Sequence, residues 1–156
     1  MTNAISYRWA LLRDFTELGD VMFDAVRHGD SPYTEHQRRA WVPHPRKGAD
    51  WAARLQGQRI RLAETDGRII GFMSLRPDGY VDFAYIRPSA RGRGVFRTLY
   101  DALEAEARRH PLRLLTTHAS LMAAPAFAAM GFQVTQEETV PLGGARLRRF
   151  AMAKTL

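Results

Sequence analysis

Residues 59–88, RIRLAETDGRIIGFMSLRPDGYVDFAYIRP, constrain the fold of this chain more than any other stretch. Asp66-Gly67 and Pro77-Asp78-Gly79 cut it into three extended runs. Both separators carry the chemistry of tight hairpin turns, because glycine reaches positive φ freely and aspartate bonds to its own backbone. The runs therefore pair as an antiparallel meander. The pattern then changes period. From Val95 to about Arg109 the apolar residues Val95, Leu99, Leu103 and Ala107 recur every four, and Phe96 and Tyr100 widen that face into an amphipathic helix.

The flanks complete the order. Ile5 to Leu12 partly alternates and reads as a strand, and Asp14 with Glu17 forms a capping-box pattern for a helix to about Arg27. Thr34 with Gln37 repeats that signature for a short helix ending near Trp41, and Asp50 is expected to cap another over residues 51–57. Leu112 to Thr117 reads as a buried strand. Ala123 to Met130 reads as a helix closed by Gly131, with Pro125 in its first turn. Two strands around Gly143-Gly144 end the chain. The expectation is an α/β (α+β-like) fold: a single mixed, mostly antiparallel sheet flanked by helices.

The length, 156 residues, suits one domain spanning 1–156. There is no cysteine, which excludes disulfides, thiolate metal sites and a cysteine nucleophile. His28, His36 and His44 are evenly spaced, but Pro43 and Pro45 deny them a shared helix face, so no metal site is expected. The first residues lack a signal-peptide pattern and no apolar run is long enough to span a bilayer, so a cytoplasmic protein without membrane contact is expected. The formal charge of +7 suits an anionic ligand. A nucleic-acid partner is not expected, for want of a recognition-helix signature or aromatic–basic interleaving.

The junction between meander and helix, IRPSARGRGVFRTLYDAL, carries the functional signal. A helix start leaves its first amides unpaired and partly positive, glycines let a ligand approach the backbone, and arginines add charge. Such a corner suits phosphate. It is not a Walker loop, since Gly-x-x-x-x-Gly-Lys is absent, nor a dinucleotide fingerprint, since Arg97 stands where the third glycine belongs.

Arg91-Gly92-Arg93-Gly94-Val95-Phe96 is similar to the Arg/Gln-x-x-Gly-x-Gly/Ala motif of the GCN5-related N-acetyltransferase superfamily. The element order, "VDFAYIRP" as a fourth strand and "APAFAAMGF" as a last helix leading into a strand also resemble that family, and "SPYTEHQRRAW" resembles a branch of small bacterial acetyltransferases. The resemblance covers essentially the whole chain. It implies acetyl-coenzyme A as cofactor, with its pyrophosphate cradled at Arg91, Gly92, Arg93, Gly94, Val95 and Phe96 and neighbouring contacts from Arg97 and Thr98. Edge groups of Tyr85 and Ile86 would hold the pantetheine arm in a gap between the fourth and fifth strands. It also implies a small-molecule or peptide amine as acceptor, and a homodimer would not be unusual.

Two residues depart from the pattern. Phe96 replaces a small residue and is expected to turn inward and pack. Phe127 stands where many members place a tyrosine that protonates the departing thiolate, and Ser120 where they often place an asparagine. A substitute proton donor or slow chemistry is therefore expected. Asp82 and His118 are the candidate proton acceptors for the amine, His118 being better matched to neutral pH. Tyr33 and Trp41, with Ser120 and Phe127, are the candidate acceptor-binding residues. The alternative is a catalytically weak acyl-coenzyme A sensor of the same fold.

Overall fold

The computed structural model describes residues 3–156; the first two residues of the expected domain lie outside it. The strands are β1 Ser6–Trp9, β2 Arg59–Thr65, β3 Arg68–Leu75, β4 Tyr80–Ile86, β5 Leu114–Ser120, β6 Gln133–Leu142 and β7 Ala145–Thr155. The helices are α1 Phe15–Arg27, α2 Glu35–Trp41, α3 Gly48–Leu55, α4 Val95–Arg109 and α5 Ala124–Ala129. All seven strands form one sheet in the order β1-β2-β3-β4-β5-β7-β6. Every neighbouring pair is antiparallel except β4 and β5, which run parallel.

Each face of the sheet buries a separate core. Leu99, Leu103 and Ala107 of α4 pack with Phe127 of α5 against Met73, Val81 and Leu115. On the opposite face Leu18 and Met22 of α1 and Trp51 and Leu55 of α3 cover Leu62, Phe72 and Phe83. The every-fourth apolar residues of the long helix thus face the sheet, as their spacing requires.

Turn chemistry places the remaining pieces. Gly143 and Gly144 have φ of +56° and +83°, the paired positive values of a two-residue hairpin between β6 and β7. That hairpin leans on α2, where Gln37 donates to the Arg146 carbonyl at 2.9 Å. Thr34 and Gln37 make the expected reciprocal cap, at 3.2 and 2.8 Å.

Four boundaries differ from the sequence expectation. Asp14 does not cap α1: it is buried against Arg8 and accepts from the Leu11 amide, which ends β1 early and turns the chain into a 3-10 segment. Its partner Glu17 instead accepts from the Ile69 amide of β3. Asp50 lies inside the first turn of α3, which begins at Gly48 and closes at Leu55. β5 starts at Leu114, because the Leu112 amide is spent on the Ala107 carbonyl closing α4. No helix among the described residues is long and apolar enough to cross a membrane.

Candidate active site

β4 and β5 touch only at their beginnings. They pair at Tyr80–Thr116 and Val81–Thr117 and then separate. A side chain bridges on each side of β4: the Thr117 hydroxyl of β5 donates to the Val81 carbonyl at 2.9 Å, and the Ser74 hydroxyl of β3 accepts from the Phe83 amide at 3.0 Å. Ser74 is needed because β4 carries an extra residue there. Met73 faces Ala84 and Leu75 faces Val81, so Ser74 alone opposes both Asp82 and Phe83, a β-bulge that bends the strand away from β5.

Beyond the bulge β4 is regular again. The Arg87 amide donates to the Ile70 carbonyl of β3, so strand alternation aims the backbone groups of Ile86 and Ala84 at the gap. Tyr85 differs from its expected part. Its main chain faces β3, and it brings its side chain instead.

A cavity of about 500 Å³ fills the gap. One end opens at the start of α4, where Gly92, Gly94, Val95, Phe96, Arg91 and Arg97 all reach its wall. Gly92 and Gly94 have φ of +75° and +76°, a left-handed backbone that only glycine adopts cheaply. A Cβ at either would meet nothing within 4 Å, so the surface beside them is open. Gly94 is the N-cap of α4 and offers no side chain to its first amides. The Thr98 amide is bonded to the Gly94 carbonyl, as is the Thr98 hydroxyl at 3.0 Å, so Thr98 stiffens the turn and does not reach the cavity.

The arginines of this corner divide into two kinds. Arg87 is buried, donating to the Ile69 carbonyl and pairing with Asp24. Arg91 donates to the Ala25 and Asp30 carbonyls at the end of α1, a favourable place for a cation. Arg93 and Arg97 stay exposed, Arg93 donating to the Asn3 carbonyl at 3.4 Å and Arg97 standing on the cavity wall. Uncapped amides, bare glycine backbone and two exposed arginines without a carboxylate partner among the described residues fit a diphosphate. The apolar channel that follows, past Val26, Ala126 and Met130, fits a thin arm.

Phe96 and Phe127, the two departures from the motif pattern, touch. Their rings meet edge to face at 5.1 Å, and Phe127 meets Phe132 likewise at 5.1 Å. Phe96 packs inward and lines the cavity, while Phe127 is only 1 % exposed and lies behind it. Phe127 therefore belongs to the core and not to the cavity wall.

The other end of the cavity is made of side chains. Tyr33, Trp41 and Tyr85 form an aromatic wall, with ring centroids 5.8 Å apart for the first pair and 6.1 Å for the second. The Tyr33 hydroxyl donates to the Arg148 carbonyl at 2.6 Å and accepts from the Leu121 amide at 2.9 Å, tying the loop before α2 to β7. Ser120 also lines the cavity, and its hydroxyl accepts from the Ala123 amide ahead of α5.

Asp82 is not free. Arg54 holds both its oxygens at 2.8 and 3.0 Å, Gln58 adds a third bond at 2.8 Å, and its side chain is only 4 % exposed. Burial would push its pKa up, but the bonds from Arg54 and Gln58 prevail and hold it below the ordinary carboxylate range. His118 is half-exposed in a polar chain. Its Nδ1 lies 2.7 Å from the Tyr80 hydroxyl and its Nε2 3.6 Å from Glu138, which in turn accepts from Arg149 at 2.6 Å. Burial raises the Tyr80 phenol, so Tyr80 keeps its proton and has it available for Nδ1. Neither Asp82 nor His118 touches the cavity wall. His118 lies two residues before Ser120 on the same face of β5, about 7 Å away along the strand.

Tyr80, Glu138, Arg54 and Ser74 were not singled out from sequence. The alternation of β4 does put Tyr80 on the face of Asp82, and a serine inside the apolar run of β3 marks the bulge; nothing local points to Glu138 or Arg54.

Known proteins share this fold. A family model described as an acetyltransferase (GNAT) domain matches residues 30–156. The uncharacterized N-acetyltransferase YafP of Escherichia coli K12 is 29% identical over 141 residues, covering 89% of this chain and 88% of YafP. A GCN5-related N-acetyltransferase from Rhodopseudomonas palustris is 34% identical, with a TM-score of 0.89 over 100% of this chain and 99% of its own. A phosphinothricin acetyltransferase from Sinorhizobium meliloti, solved with acetyl-CoA, shares the fold at 20% identity and a TM-score of 0.73, over 97% of this chain and 88% of its own.

Proposed function

The chain belongs to the GNAT acetyltransferase family, and from that premise we propose that it is a cytoplasmic, acetyl-CoA-dependent N-acetyltransferase that acts by direct attack of an amine. One observation carries the reading: the uncapped start of α4 opens onto a cleft that the divergence of β4 and β5 creates. The amides that begin α4, with Arg93 and Arg97, hold the diphosphate of the cofactor, and the main-chain edges of Ala84 and Ile86 hold its arm. When bound, acetyl-CoA supplies the acyl group as a thioester.

The protein's own task is to deliver a neutral amine. Asp82 is a poor base, because its carboxylate is saturated and its pKa depressed. His118 is the better proton acceptor. A proton leaving the amine passes through solvent to the Tyr80 oxygen, which stands off the cavity wall, as Tyr80 hands its own to Nδ1, and Glu138 steadies the imidazolium that results. The chain has no cysteine to carry an acyl group, in keeping with direct attack. Phe127 has no proton to give and lies behind Phe96, so solvent protonates the departing sulfur.

The burial of Phe127 favours a second reading, a sensor that binds acyl-CoA without turnover. Thiol release from acetyl-CoA with a panel of primary amines separates the two. Amine-dependent release supports the enzyme; tight binding with no release for any amine supports the sensor.

A further inference from the structure

The cavity passes through the sheet. On the α4 side its walls include Val95, Phe96 and Met130, which belong to the core on that face. On the other side Val26, Trp41 and Tyr85 line it, and these pack with the core beneath α1. The glycine corner opens on the first side, which leaves the chamber walled by Tyr33, Trp41 and Tyr85 to the acceptor.

Three properties of that chamber restrict what enters it. Its wall is built of rings: Tyr33 and Trp41 meet at 5.8 Å and 79°, Trp41 and Tyr85 at 6.1 Å and 58°. A further ring extends such a tilted series favourably, and its burial removes a large apolar area from water. The wall also lacks a carboxylate. Among the described residues that line the cavity the charged side chains are Arg91 and Arg97, both at the α4 end. The nearby acids stand off the wall and are already paired, Asp82 with Arg54 and Glu138 with Arg149. Finally, the hydroxyls of the wall are mostly committed. Tyr33 both donates and accepts, Ser31 accepts from the Tyr33 amide and Ser120 from the Ala123 amide. The Tyr85 hydroxyl alone has no hydrogen-bond partner among the described residues.

The chamber thus provides for one amine. Its nitrogen meets the Tyr85 oxygen, and desolvation favours the neutral form, which is the one that attacks a thioester. A second ammonium would leave water with only ring faces, and no carboxylate, to receive it, a net loss.

We propose that the chamber of Tyr33, Trp41 and Tyr85 selects a primary monoamine whose body is an aromatic ring on a short carbon chain. The proposal rests on the acetyltransferase reading and names the acceptor class of that site. The transfer itself is unchanged: the nitrogen–carbonyl bond forms, the carbon–sulfur bond breaks, and an amide and the coenzyme A thiol result.

The test compares kcat/KM for 2-phenylethylamine, ethylamine and 1,4-diaminobutane, together with calorimetric binding of N-(2-phenylethyl)acetamide to the coenzyme A-loaded protein. 2-Phenylethylamine is expected to react at least about tenfold better than either of the others. Trp41→Leu, which keeps an apolar side chain but removes the ring, should lower that preference several-fold and leave coenzyme A affinity unchanged. Tyr85→Phe keeps the ring, so it should keep the preference and raise KM for every amine a few-fold. Three amines treated alike by the wild type, or diaminobutane preferred, overturns the proposal whatever the variants do. So does a preference that survives Trp41→Leu, or a loss of coenzyme A affinity there, which would give the wall to the cofactor arm. Binding of the acetamide without turnover of any amine upholds the chamber and sinks the enzymatic reading; turnover of other amines without such binding does the reverse.

Discussion

At the α4 end of the cleft, the groups offered to a ligand are mainly the main chain of one short loop, joined by two exposed arginine side chains. At the other end stand side chains, with Tyr33, Trp41, Tyr85 and Ser120 on the wall and, off the wall, Asp82 and His118 held by partners from α3, β4 and β6. The first end needs only a helix start, two left-handed glycines and the absence of a cap. The second needs register: a bulge opposite Ser74 and a parallel pairing that stops at Val81 put Tyr80, Asp82 and His118 side by side. A site built of backbone tolerates changes of side chain that keep its torsions, while a site built of paired side chains depends on each partner.

That contrast can be broken or sharpened by four substitutions. His118→Gln tests the side-chain end most severely. It should slow transfer by roughly 10²–10⁴-fold, the usual worth of general acid–base help, and flatten the rise of rate with pH, while coenzyme A affinity holds. A rate within threefold of wild type would move the base elsewhere. Gly94→Glu attacks the backbone end, setting a side chain on a left-handed residue and a carboxylate beside the phosphates. Calorimetry should show coenzyme A affinity lowered by about 100-fold, equivalent to ~3 kcal/mol, with the fold intact. Unchanged affinity would count heavily against the loop.

Asp82→Ala separates structure from chemistry at the side-chain end. Leaving Arg54 and Gln58 without their partner should cost about 1–3 kcal/mol of stability in denaturant unfolding, with kcat little changed. The sign with pH follows from the depressed pKa. Asp82 binds its proton more weakly folded than unfolded, so its contribution is complete above the unfolded value of about 4 and fades as pH falls through the folded one. Wild type and variant should therefore converge in stability at low pH; a gap that widens there would refute the assignment. The smallest effect is expected of Phe127→Tyr. Its hydroxyl would enter the dry contact with Phe96 and Phe132, costing about 1 kcal/mol and giving no gain in kcat. A faster enzyme would show that the ring reaches the cleft after all.

The same contrast explains what could be read in advance. The meander, the long helix, the glycine hairpin and the Thr34 cap were legible because each is a local rule acting within a few residues. Asp14–Glu17 has the spacing of a cap and is not one, since Arg8 and the Ile69 amide compete for those carboxylates from other elements. Asp82 was legible as a carboxylate on the right strand. That Arg54 and Gln58 occupy it was not, because they stand more than twenty residues away in the chain.

By itself, then, the sequence determined the elements, their order and the glycine-rich corner proposed for phosphate, because torsion preference, hydrophobic period and an unpaired helix start are properties of contiguous residues. Tertiary structure decided which charges are spent and which remain. Arg87 and Arg91 are spent on the end of α1 and Asp82 on Arg54, while Arg97 has no partner among the described residues. Whether a charge can meet a ligand depends on what lies within a few ångströms of it, and only folding brings those neighbours there.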